Sequence, residues 1–106
     1  MNKLDALIRR RTDERLRIAR VRVARIIEAA KADGIGISAV GSLNKGGFRA
    51  DSDVDLLVRG DTDPTRRAAI ERLVAGQLRD TDIPYDLIFA SDLSTERVRE
   101  LLDDHV

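Results

Sequence analysis

Val40 to Val58 reads VGSLNKGGFRADSDVDLLV, and the reading of this stretch decides the fold. An apolar run ends in Gly41-Ser42, a polar glycine-bearing loop runs from Leu43 to Ser52, and Asp53 and Asp55 open a second apolar run. Side chains of a strand alternate between its faces, so Asp53 and Asp55 point one way while Val54, Leu56 and Val58 share the other. Two carboxylates side by side on a stiff strand repel each other unless a cation or protons sit between them. The pattern is that of a metal site.

Upstream, Ile35 to Val40 is a short β-like run, and residues 4–32 are helical, with a break admissible near Arg10 to Asp13. Thr12 or Asp13 can cap the main helix. Leu16, Ala19, Val23, Ile26, Ile27 and Ala30 form its apolar stripe, and Gly34 is a natural stop. Downstream, Gly60 ends the strand Asp53 to Arg59, and Asp63 caps a helix with Pro64 at its first position. Ile70, Leu73, Val74 and Leu78 supply that helix's buried side, and Thr81-Asp82 marks a turn. Ile83 to Ala90 (IPYDLIFA) is a third strand, interrupted by the carboxylate of Asp86. Ser94 or Asp92 can cap a last helix reaching Leu102, with Val98, Leu101 and Leu102 inward. Helix, strand, strand, helix, strand, helix predicts an α/β domain, a small mixed β-sheet with helices packed against it.

A chain of 106 residues with 42% hydrophobic content supports a single domain over 1–106. Within it lie a basic helical segment (1–33), a core carrying the chemistry (35–90) and a C-terminal helix (92–106). With no cysteine, disulfides, thiolate metal sites and cysteine nucleophiles are excluded. No run approaches the ~20 apolar residues of a membrane span, and the start lacks a signal-peptide core, so a cytoplasmic location is expected. The net charge of zero conceals a division: residues 1–33 carry ten Lys/Arg against five acids, and the rest carry nine against fourteen. The arginines between Arg9 and Arg25 form either a solvated face or a docking surface for an acidic partner. No aromatic residue accompanies them to stack on bases, so nucleic-acid binding is not expected.

Three motif readings fail on spacing. Asp51, Asp53 and Asp55 imitate half of an EF-hand loop, but its glycine and glutamate positions hold Leu56 and Thr62. Gly46 is followed by Gly47 where a phosphate-binding P-loop needs lysine. Gly34 to Ala39 precedes a strand, whereas a dinucleotide fingerprint follows one. What remains is Gly41-Ser42, the ten-residue spacer, Asp53 and Asp55, and Asp86 on a later strand. Three carboxylates on a sheet can hold two Mg²⁺ ions ~3.5–4 Å apart, clamping the attacking and leaving oxygens of phosphoryl transfer. Gly41 lets a phosphate approach the backbone, Ser42 and neighbouring N–H groups can donate to it, and Lys45 can add positive charge. Asp86 could take a proton from an acceptor hydroxyl. Arg49 and Asp51 read as solvated loop charges, His105 as without a role, and Phe48, Tyr85 and Phe89 as core, with Phe48 left open by its place in the loop.

GSLNKGGFRADSDVDLLV resembles the signature of the nucleotidyltransferase superfamily that includes DNA polymerase beta, and most of all the minimal nucleotidyltransferases (MNT) paired with HEPN-domain partners. The resemblance spans Ile35 to Ala90. It implies the polymerase beta-like fold, with Asp53 and Asp55 holding both metals, Asp86 as the third, catalytic carboxylate, and Gly41, Ser42 and Lys45 at the triphosphate. It further implies two Mg²⁺ ions, ATP as nucleotide donor, a HEPN-type ribonuclease toxin as partner in a hetero-oligomer, and silencing of that toxin by AMP attached to its tyrosine. Lys45 stands where arginine is frequent, giving a point charge instead of a bidentate fork. The chain shows no helical acceptor domain, so the acceptor is expected to come from elsewhere. Two other functions fit the residues: a binding module that neutralises its partner by contact, and a nucleotidyltransferase for a small hydroxylated molecule working with a separate subunit.

Overall fold

The computed structural model describes residues 2–49 and 51–103, apart from the side chains of Asn44 and Lys45. In chain order it comprises α1 (Lys3–Ala32), β1 (Gly36–Val40), α2 (Ser42–Lys45), β2 (Val54–Arg59), α3 (Pro64–Leu78), β3 (Tyr85–Phe89) and α4 (Thr95–Asp103). The strands form one mixed sheet in the order β1-β2-β3, antiparallel between β1 and β2 and parallel between β2 and β3. A crossover through α3 joins the parallel pair, as such pairs require.

The helix α1 is unbroken, as the helical reading of 4–32 allows, and the break admissible near Arg10 to Asp13 does not occur. No glycine or proline lies there, and the Thr12 hydroxyl turns back to donate to the Ile8 carbonyl at 3.0 Å, so Thr12 continues the helix instead of capping it. The cap is Asn2, whose side-chain oxygen accepts from the Asp5 N–H at 2.8 Å. At the other end the N–H groups of Gly34 and Ile35 return to the carbonyls of Lys31 and Ala30, with Gly34 at φ +77°. Asp63 caps α3 by accepting from the Arg66 N–H at 2.7 Å, and Ser94 caps α4 by accepting from the Arg97 N–H at 3.1 Å.

The register assigns the two faces of the sheet. Ile37 pairs with Val58 and Ala39 with Leu56, while Leu56 and Val58 lie beside Leu87 and Phe89. This face meets Ala19, Val23, Ile26 and Ala30 of α1 and Ile70, Val74 and Leu78 of α3 in the main core. Each fully buried aliphatic side chain there contributes roughly 1.5–3 kcal/mol of transfer free energy. The opposite face presents Val40 paired with Asp55, Leu57 beside Ile88, and Asp86 beside Asp55. Val40 and Leu57 are buried on that face as well, and α4 lies against β1 with Val98 and Leu101 half-buried. Leu102 is 37% exposed, against the expectation that it points inward, at a position one residue from the end of α4.

The molecule measures 51 × 30 × 18 Å. The long dimension is set by α1, whose thirty residues span about 45 Å at 1.5 Å per residue. No helix is long and apolar enough to cross a membrane among the described residues.

Candidate active site

Asp55 is the centre of the site. It is the second residue of β2, half-buried, and flanked in sequence by Val54 and Leu56, both fully buried. Those neighbours fix the strand, so the carboxylate is held on a rigid element. On one side Asp55 pairs in register with Asp86 of β3; adjacent strands lie about 4.8 Å apart, so the two carboxylates stand shoulder to shoulder on one face. On the other side it pairs with Val40, the last residue of β1 before Gly41.

Gly41 is required twice over. Its backbone sits at φ +74° and ψ −148°, a region open essentially to glycine alone. A Cβ built there would lie 2.5 Å from Asp55 Oδ2, so the carboxylate rests against the glycine backbone. Ser42 then begins the single turn of α2, and its carbonyl accepts the Gly47 N–H at 3.0 Å, folding the loop back. Gly41 has no side chain to cap that turn, which leaves its first N–H groups free to donate to a phosphate oxygen. Phe48, 5% exposed, anchors the rest of the loop in the core. The loop closes where the Arg49 N–H donates to Ser52 Oγ at 2.7 Å.

Electrostatics mark the same spot. The Asp55 carboxyl is raised above its ordinary value of 3.8, first by burial and then by the negative charges of Asp86 and Asp53. Asp53 lies just outside β2 and is exposed, yet its charge reaches Asp55. Among the described residues, no group of three or more acidic or imidazole side chains is drawn into metal-ligating geometry; the three carboxylates line the entry ends of β2 and β3 without converging. The donor set is nonetheless suited to a hard divalent cation. It is all oxygen, it is anionic, and its central member is destabilised as a carboxylate by burial and by its neighbours' charge. A cation at the site would turn that mutual repulsion into attraction.

Asp53, Asp55, Asp86, Gly41 and Ser42 therefore gather at one end of the sheet, while the Lys45 side chain and His105 lie outside the described residues. Tyr85 is a correction. It was expected in the core but is 37% exposed, because β3 is an edge strand whose first residues are not covered. Asp86 is exposed for the same reason, so it interrupts an apolar run without being a buried charge.

Sequence reading missed Arg67. From α3 its guanidinium donates to both oxygens of Asp92 at 2.8 and 2.7 Å, to Ser91 at 2.9 Å and to Thr62 at 3.2 Å. It also lies 4.4 Å over the Phe89 ring. This fork ties the exit of β3 to the start of α3 and so steadies the strand that carries Asp86. Arg67 is held above its ordinary pKa by its hydrogen bond to Asp92, and that bond lowers Asp92 in turn. No local pattern announces it, since its serine and carboxylate partners, Ser91 and Asp92, lie 24 and 25 residues away.

A glycine-ended strand laid against a carboxylate, with a second carboxylate in register beside it, is an arrangement suited to holding a cation beside a phosphate, the need of phosphoryl transfer. The comparison with protein families makes the class specific. The nucleotidyltransferase domain matches residues 22–106, and the chain belongs to that family, with the polymerase beta-like fold. No curated protein matches the chain. The domain is accordingly a transferase that moves a nucleoside monophosphate from a nucleoside triphosphate, a reaction for which the family generally uses a divalent metal.

Proposed function

We propose that this domain is a Mg²⁺-dependent protein adenylyltransferase that moves AMP from ATP onto a hydroxyl of a partner protein. The partner on this reading is a HEPN-type ribonuclease toxin, which the domain binds in a hetero-oligomer in the cytoplasm and silences as its antitoxin. The observation that carries the chemistry is the setting of Asp55, with the Gly41 backbone against one side and Asp86 in register on the other. The assignment to a protein acceptor rests on the resemblance of GSLNKGGFRADSDVDLLV to the MNT signature and on a strongly basic first helix.

In this reading Asp53, Asp55 and Asp86 would hold Mg²⁺, which when bound would supply charge neutralisation on the triphosphate. Gly41 gives the phosphates access to the backbone, the Ser42 hydroxyl and nearby N–H groups donate to their oxygens, and Lys45 adds a positive charge. Asp86, exposed at the edge of the sheet, takes the proton of the acceptor hydroxyl. The freed oxygen bonds to the α-phosphorus, the bond to the bridging oxygen breaks, and pyrophosphate leaves.

The test is incubation of the purified chain with Mg²⁺ and ATP labelled at the α-phosphate, in lysate of its own cells, beside Asp53→Asn. A labelled protein band made by the wild type and lost in the variant is the expected result. Label in the small-molecule fraction would replace the protein acceptor with a hydroxylated metabolite. Partner protection that survives Asp53→Asn would show neutralisation by contact alone.

A further inference from the structure

The family match begins at Arg22, yet α1 begins nineteen residues earlier, at Lys3, and its first buried residue is Ala19. Residues 3–15 thus form an arm of about 20 Å at helical rise, ahead of Leu16 and Ile18, the first side chains of α1 that pack against the core. Its direction follows from the fold. The chain reverses at Gly34, so α1 runs back along β1 toward Val40, the catalytic end, where it touches α2. Arg11, Glu14, Arg15 and Ile18 line a hollow of about 380 Å³ together with Thr81 and Ile83, just ahead of the start of β3. The arm therefore overhangs the end of the sheet at which Asp55 and Asp86 stand, approaching from behind their face.

One stripe runs the length of the arm. Leu4, Ile8, Arg11, Arg15, Ile18 and Arg22 recur at alternating intervals of four and three, the seam spacing of a helix that pairs with another helix. Leu4 is 63% and Ile8 51% exposed, with Leu7 beside them at 42%. The last arginine of the stripe is already covered within the fold: Arg22 donates to both carboxylate oxygens of Asp80 at 3.0 and 3.1 Å and to the Gln77 carbonyl at 2.8 Å. Arg11 and Arg15 have no such ion pair among the described residues, and Arg15 Nε is buried without a hydrogen-bond acceptor.

We propose that this arm docks an acidic amphipathic helix of the acceptor protein and holds it over the catalytic end of the sheet. Apolar residues of the partner helix seat on Leu4, Ile8 and Ile18, and its carboxylates meet Arg11 and Arg15 as Asp80 meets Arg22. Charge selects this occupant over a second copy. Lys3 to Ile18 carries six basic residues against three acidic ones. The seam of a second copy holds no carboxylate, so in any register its Arg11 and Arg15 would meet apolar side chains or other arginines and be desolvated without a counter-charge. The inference deepens the proposed function and rests on its reading that the acceptor is a protein.

The test uses the full chain without nucleotide, so it stands apart from any failure of transfer. The probe is a synthetic fluorescent helix with leucine and isoleucine at the outer seam positions and glutamate at the inner ones; the control carries lysine for glutamate. Anisotropy should show the glutamate helix binding, the lysine helix not binding, and Arg11→Glu with Arg15→Glu weakening binding at least about tenfold, since like charges juxtaposed at an interface cost several kcal/mol. Circular dichroism and melting establish that the variant is folded, and the lysine helix should bind the charge-reversed arm in its place. Equal binding of both helices, or of neither, overturns the proposal. Self-association lost in Ile8→Asp would assign the arm to a second copy, and preferential capture by phosphatidylserine vesicles would assign it to an anionic membrane; either overturns it.

Discussion

Replacing Gly41 by alanine probes the site at one atom. The added Cβ would sit 2.5 Å from Asp55 Oδ2, against the 3.4 Å at which ordinary contact begins, so something must give by 0.9 Å. Asp55 is held between buried Val54 and Leu56 on the central strand, so its carboxylate, and not the sheet, is displaced. A misplacement of about 1 Å at a reacting centre costs about a hundredfold in rate, which is the loss of transfer expected at saturating substrate. Holding alanine at φ +74° adds backbone strain of about 1–3 kcal/mol, and for a domain of this size that lowers the melting temperature by roughly 5–15 °C. Gly46→Ala separates the two effects. Gly46 also has positive φ, at +83°, but nothing lies within 4 Å of its Cβ position, so it should lose about 1–2 kcal/mol of stability and less than tenfold in rate. Both variants are assayed for NMP transfer well below their melting temperatures. If Gly41→Ala transfers as fast as Gly46→Ala, Asp55 does not work from the position described.

Asp53→Asn and Asp55→Asn should each abolish transfer, and in chelator Asp55→Asn should melt higher than the wild type, because it removes a carboxylate that burial and its neighbours disfavour. The folded-state pKa of Asp55 lies above 3.8, so between those values the folded chain holds more protons than the unfolded one; stability in chelator should fall as pH rises through that window, read by urea titration across pH. For the same reason the acid limb of the pH–rate profile at limiting Mg²⁺ should lie above the range of a free aspartate, and its return to that range would place the limiting group elsewhere. Arg67→Lys loses the two-pronged bond to Asp92, and it should lower the melting temperature and slow transfer severalfold with little change in the KM for ATP. Leu57→Ala, at a side chain with no exposure, should cost about 2–5 kcal/mol in denaturant unfolding.

The sheet and the gathering of the candidate site's residues at one end of it were legible in the sequence because both are written at short range. Gly41-Ser42 and the alternation from Asp53 to Val58 each declare a strand boundary and a face. Asp63-Pro64 declares a helix start through two residues whose physical preferences agree. Long-range placement was not legible. The apolar row Leu4, Leu7 and Ile8 has the same helical spacing as a buried row, and nothing local says that the packed body of the protein ends at Leu16. Tyr85 and Leu57 show the same limit with opposite outcomes. One sits in an apolar run yet is exposed at a sheet edge, while the other sits on the carboxylate face yet is fully buried. Arg67 looked like any helix-surface arginine because the groups it binds arrive from the far side of β3.

Stability and function oppose each other at Asp55 and cooperate one and two residues further along β2. The carboxylate is disfavoured by the burial and neighbouring charge that suit it to a cation, so the fold must hold it there at a cost. Leu56 and Leu57, both without exposure and on opposite faces of the central strand, supply apolar burial that offsets this cost and fix the strand between the main core and the site face. A central strand buried on both faces has little freedom to twist or slip, and a register slip of one residue would turn Asp55 into the core and Leu56 out of it. The same packing that stabilises the sheet therefore sets the position of the carboxylate. Catalytic geometry in so small a domain can thus rest on β2 and its two neighbours, leaving the far half of α1 free for a different task.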